Sequence, residues 1–236
     1  MDVGRKWALE TFGKYGPLVR GQIAELVKKE HEASADAQEA SGHRSHGVYG
    51  EFWRGILEKF EAFGSLPGAA LVRPANAPYK IPVVNGVALF PWRYAKTRDS
   101  DMATTLFGTS DTRVEIANLR PPAVQGEFEF DLPDPGIDDE ERQLLLTLQS
   151  AVEDPVVTSG RLVLVAVASS VRGLFAVEWG EVELDSTGFV RWTGFQESLL
   201  SVVPTAPAST SPTRTFTTGD IPRKFPKTEV DRSSDG

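Results

Sequence analysis

The sequence predicts an α+β protein in which N-terminal helices pack on an antiparallel sheet and a C-terminal tail follows. Three observations carry this expectation. Apolar residues recur at helical spacing within the first 64 positions, an Asn85-Gly86 pair divides two apolar runs, and residues 161–192 read as a meander of strands.

Val3, Trp7 and Phe12 suit a short first helix. Gly16-Pro17 marks the start of a second, because proline is tolerated in a first turn, and Val19, Ile23, Leu26 and Val27 carry it to about His31. From Glu32 to Gly47 no large apolar residue occurs, so a frayed helix end and a flexible loop are expected there. Tyr49, Phe52, Trp53, Ile56, Leu57, Phe60 and Phe63 then form one apolar helix face, which Gly64 and Pro67 terminate.

The run Ile81–Phe90 reads as a hairpin, since Asn-Gly supplies the two positive φ angles that a two-residue turn needs. One face would carry Tyr79, Ile81, Val83, Ala88, Phe90 and Trp92, the other Lys80, Pro82, Val84, Val87, Leu89 and Pro91, with Tyr79 opposite Trp92. Thr112–Leu119 reads as a strand, and Glu127–Leu132 alternates as a half-exposed one. Asp138 and Glu141 have the spacing of a capping box for a helix whose stripe is Leu144, Leu145, Leu148 and Val152.

Residues 162–168 are apolar at every position, the pattern of a central strand covered on both faces. In Leu174–Leu184 the apolar parity changes at Gly180, which predicts a β-bulge there. Phe189–Trp192 returns as a strand, and a short helix with Phe195, Leu199 and Leu200 ends a single domain over residues 1–203. The proline pairs and glycine near 120–137 offer an alternative subdomain boundary. Residues 204–236, rich in proline, threonine and serine, lack the apolar content to fold alone and are expected to be disordered.

The net charge of −8 is unevenly distributed. Residues 127–154 hold ten acids against Arg142, whereas 71–98 hold Arg73, Lys80, Arg93, Lys96 and Arg98 with no acid. The absence of cysteine excludes disulfides, thiolate metal sites and a cysteine nucleophile. No apolar run reaches the ~18 residues of a membrane span and no signal peptide is evident, so a cytoplasmic, soluble protein is expected. Glycine loops for nucleotides, a Gly-x-Ser-x-Gly nucleophile and a His-Glu-x-x-His zinc helix are all missing.

The best candidate surface is the end of the hairpin. There Arg93 would bind a phosphate or carboxylate while Trp92 or Tyr79 stacks on a ring, with Lys80 and Tyr94 beside them. The competing reading makes Trp92 core and leaves Arg93 to reach outward. Asp99, Asp101 and Glu115 have the spacing of a Mg²⁺-dependent nuclease site, but Ala117 stands where such sites carry lysine. His43 and His46 are expected in a solvated loop, and Glu178, Glu181 and Glu183 on an outer sheet face. These readings favour a non-catalytic binding or regulatory protein, without cofactor, acting through a macromolecular partner. Another protein would dock on the acidic segment 127–154 and the tail; nucleic acid would use the basic hairpin 71–98. The alternative is a metal-dependent nuclease or other nucleic-acid-processing enzyme.

Overall fold

The structure, a computed structural model, describes residues 2–119, 136–151 and 160–201. Asp2 caps the first helix, α1 (Val3–Phe12), by accepting a hydrogen bond from the Gly4 amide. A 3₁₀ turn over Gly13–Tyr15 redirects the chain into α2 (Gly16–Ser41), which has Pro17 in its first turn as expected. Gly16 lies against the Ala8 carbonyl, where a Cβ would collide with the backbone of α1. Glycine therefore sets how closely the two helices meet.

The expected fraying after His31 does not occur, and α2 runs on to Ser41. Its polar end is held by tertiary contacts rather than by apolar periodicity. Buried Gln38 donates from Nε2 to the carbonyls of His43 (3.0 Å) and Ser45 (2.9 Å) and accepts from the Tyr49 amide at 3.1 Å. One amide side chain thus ties the last turns of α2 to residues 43–49, and the expected flexible loop is a tethered one. The aromatic helix α3 (Phe52–Phe60) follows, flanked by 3₁₀ turns at Tyr49–Glu51 and Glu61–Ser65. Tyr49, Phe52, Ile56, Leu57, Phe60 and Phe63 are buried, while Trp53 falls outside the stripe at 38% exposure.

Six strands, β1 (Ala70–Val72), β2 (Ile81–Val84), β3 (Val87–Ala95), β4 (Arg161–Ser170), β5 (Gly173–Leu184) and β6 (Val190–Ser198), form one sheet in chain order. The sheet is mixed, not purely antiparallel: β3 and β4 run parallel, from Val87 opposite Arg161 to Ala95 opposite Ala168. A parallel pair needs a long crossover. Here it carries a 3₁₀ turn (Met102–Thr104), α4 (Asp111–Ala117) and α5 (Asp139–Ala151). The crossover is what joins the predicted hairpin to the predicted meander.

The hairpin forms as expected. Asn85 (φ 50°) and Gly86 (φ 75°) make the turn and Val84 pairs with Val87. Val84, Val87 and Leu89 join the core under α1, α2 and α3, whereas Ile81, Val83, Ala88, Phe90 and Trp92 join the core on the other face. Tyr79 packs on Phe90 and Trp53 instead of facing Trp92, because β2 begins only at Ile81.

Thr112–Leu119 is not a strand, and its first six residues belong to α4 (Asp111–Ala117). Its β-branched residues imitate a strand, yet the Ser110 hydroxyl accepts from the Arg113 amide and caps a helix, with Asp111 in the first turn. Only Ile116 of the helix is buried, against the outer face of the sheet. The Asp138–Glu141 capping box is present in both directions, at 3.0 and 2.9 Å, and Glu141 also pairs with Arg5 of α1. The Glu127–Leu132 strand, the 120–135 part of the proposed boundary, Val152 and the tail lie outside the described residues.

β4 is buried on both faces from Leu162 to Ser169, as its composition requires. The irregularity expected at Gly180 is present, but the extra residues belong to the neighbouring strand. Between Gly180↔Gln196 and Val182↔Trp192, β5 advances two residues while β6 advances four. Against β4, the steps from Val177 through Trp179 to Val182 are unbroken. The parity change arises because β5 meets a core on each side, Trp179 on one and Val182 on the other. Phe195, expected in a closing helix, lies in β6 and stacks on Trp7 (4.7 Å); only Leu199–Ser201 is helical, as a 3₁₀ turn. Among the described residues, no helix is long and apolar enough to cross a membrane.

Candidate anion-binding site

Alternation along β3 divides the predicted surface in two. Trp92 points into the outer core at 4% exposure, edge-on to Phe107 at 5.0 Å, with the Arg113 guanidinium 5.9 Å above its ring. It offers no face to a ligand. Tyr94 and Tyr79 are half-buried on the same side, and burial raises the pKa of both hydroxyls. The Lys80 amide donates to Glu61 at 3.0 Å. The five residues expected to act together therefore do not converge.

Arg93 alone turns to the helical side. Its Nε and Nη2 donate to the Ser169 carbonyl at 3.2 and 2.7 Å, and its guanidinium lies 5.0 Å from the Tyr49 ring centroid and 5.9 Å from that of Phe52. Burial lowers its pKa, and no carboxylate compensates. Guanidinium nonetheless stays protonated, so the cation is half-desolvated and held by a neutral acceptor and two rings.

Beside it opens a cavity of about 280 Å³, lined by His46, Tyr49, Gly50, Arg93, Lys96, Ser170, Val171 and Arg172. These residues gather at the carboxyl ends of β3 and β4, the end of a parallel pair at which open α/β sheets commonly bind ligands. No acid lines the cavity. Lys96 and Arg172 are exposed and join no ion pair among the described residues. Beneath the cavity, the Tyr49 hydroxyl lies 2.8 Å from His31 Nδ1. Ser169 Oγ is fully buried near that hydroxyl but without a satisfactory hydrogen bond. Burial lowers the His31 pKa, and Arg93 lowers it further against the opposing pull of Glu32.

Two carboxylates of the nuclease alternative accept from backbone amides. Asp101 accepts from the Ala103 amide at 2.9 Å, and Glu115, on α4 rather than on a strand, accepts from the Ala75 amide at 2.9 Å. Asp99 is exposed. Among the described residues no three histidine or carboxylate side chains are grouped to hold a metal ion. His43 and His46 are exposed, as expected. Glu181 pairs with Arg161 at 2.8 Å and Glu178 accepts from Gln196 at 3.2 Å.

Lys96 belongs to the acid-free window and so was accessible to sequence reasoning. Ser169 and Arg172 were not, because only the parallel pairing brings the end of β4 and the turn after it beside Arg93. No protein-family model, curated protein or solved structure matches this chain.

Proposed function

We propose that this protein is a non-catalytic binding or regulatory protein that holds an anionic group of a macromolecular partner in the Arg93 cavity. The supporting observation is a half-buried arginine, without a carboxylate, opening onto a cavity whose other charged-capable side chains are Lys96, Arg172 and His46. Three permanent cations around one concavity repel each other, and an incoming anion relieves that repulsion. Tyr49, whose ring lies against Arg93, is 1% exposed, which suits positioning rather than chemistry on a substrate. A further protein contact through the acidic segment 127–154 and the tail, and a cytoplasmic setting, complete the reading.

The test is retention on an immobilised polyanion over a salt gradient, wild type against Lys96→Ala and Arg172→Ala. The expected result is earlier elution of each variant with a shallower salt dependence, as loss of one contact to a polyanion requires. Identical elution of both variants and wild type would remove the cavity as the contact surface.

A further inference from the structure

We infer that the cavity takes a phosphate monoester carried on a protein segment, a phosphoserine or phosphothreonine. The inference rests on the anion-binding reading above and specifies its ligand. Three features of the site select the chemistry.

Size comes first. About 280 Å³, at the small end of ligand sites, accommodates a compact end group such as a phosphate. Charge is the second feature. Arg93, Lys96 and Arg172 face the cavity without a lining acid, whereas a carboxylate or an internal phosphodiester brings only one negative charge. A monoester brings about −1.5 to −2 near neutral pH, together with three acceptor oxygens. Donor geometry is the third. The Nε and Nη2 groups of Arg93 are committed to the Ser169 carbonyl, which fixes the guanidinium plane. Nη1 has no hydrogen-bond partner among the described residues, so a donor on an already oriented arginine remains to be satisfied. A preorganised arginine loses less freedom on binding than a mobile one.

The phosphate's carrier follows from the neighbouring rings. A nucleic-acid end is recognised largely by stacking its unpaired base on an exposed aromatic side chain. Tyr49 and Phe52 are buried beneath Arg93, and half-buried Phe175 lies under the Arg98 guanidinium at 5.8 Å. Tyr49 and Phe52 present no free face to a base, and the exposed ring that lines the cavity is the single imidazole of His46. Recognition of a phosphorylated residue by clustered basic side chains needs no such platform.

The experiment is calorimetric titration of the full chain with an end-blocked, alanine-rich peptide carrying one phosphoserine. The same peptide with serine or glutamate, inorganic phosphate, and an oligonucleotide with and without a 5′-phosphate are the comparison probes. The phosphopeptide is expected to bind at least roughly tenfold tighter than the glutamate peptide, and Lys96→Ala or Arg172→Ala to weaken it roughly tenfold, the value of one charge-assisted hydrogen bond. Both substituted residues are exposed, so the fold does not depend on them. Equal binding of the phosphate and glutamate peptides, or tighter binding of the 5′-phosphorylated oligonucleotide, overturns the phosphoprotein assignment. In those cases sensitivity to Lys96→Ala leaves the anion-binding reading standing. If no probe binds, inorganic phosphate included, both fall.

Discussion

A guanidinium drawn half out of water usually rests on a carboxylate; Arg93 rests on a carbonyl and two aromatic rings. Its neighbour Trp92 has the opposite fate, packed on Phe107 with no solvent-facing ring. Substituting Trp92 with alanine should therefore act on stability, by about 3–5 kcal/mol, the usual cost of deleting a buried large aromatic. Urea denaturation measures it, and a loss below about 1 kcal/mol would show that the ring is not core. The adjacent arginine should behave differently: Arg93→Lys keeps the charge but loses the fork that holds Ser169. Reduced anion affinity is expected from it, read by the same titrations as Lys96→Ala. At the hairpin, Gly86 has φ 75°, where a Cβ is unfavourable. Gly86→Ala should cost about 1–2 kcal/mol in the same denaturation assay.

Among the elements, α2 shows how a polar sequence is kept helical. No apolar stripe extends past His31, and the last turns depend on the three hydrogen bonds of Gln38. Replacing Gln38 with leucine would free the His43 and Ser45 carbonyls and leave the buried Tyr49 amide without its acceptor, at about 1–3 kcal/mol for that amide. The expected signature is local: hydrogen exchange should accelerate across residues 36–49 while β4 amides keep their protection. Uniform acceleration through the sheet would contradict a local tether. Helix α4 makes the complementary point. Ser110 terminates the preceding chain and starts a helix in a segment that pattern alone assigns to a strand. Ser110→Ala should destabilise by about 1 kcal/mol, measured by thermal or chemical unfolding.

For the molecule as a whole, His31 and Glu141 are among the groups that link stability to acid. Burial holds the His31 pKa below its ordinary value near 6.5, so the folded protein binds this proton less readily than the unfolded chain. Its contribution is complete above the unfolded value and lost as pH falls through 6.5 toward the folded one. The Arg5 hydrogen bond holds Glu141 below its usual 4.5, and that contribution is lost lower still, as pH falls through the folded carboxylate value. Both signs agree, so the urea midpoint should decline in two steps on acidification. His31→Gln should flatten the upper step and Glu141→Gln the lower. A midpoint that rises on acidification through about 6.5 would contradict the neutral, half-buried His31.

Local rules sufficed wherever neighbours in sequence carry the constraint. Asn85-Gly86 needs two positive φ angles, Asp138 and Glu141 cap each other within one turn, and β4 is apolar throughout because both faces are covered. The alternation of the hairpin likewise identified which residues share a face, although not which face would reach a cavity. Long-range packing decided the remainder. The polar end of α2 is helical because a loop accepts and donates to Gln38, and the β5 pattern is mixed because two different cores flank one unbroken strand. The parallel pairing of β3 with β4 places the β4–β5 turn beside Arg93 and brings Arg172 to Lys96. A parallel register has no short-range signature, since its partners are joined only through the crossover. For that reason Arg93 was legible as a candidate in the sequence, whereas the cavity around it required the fold.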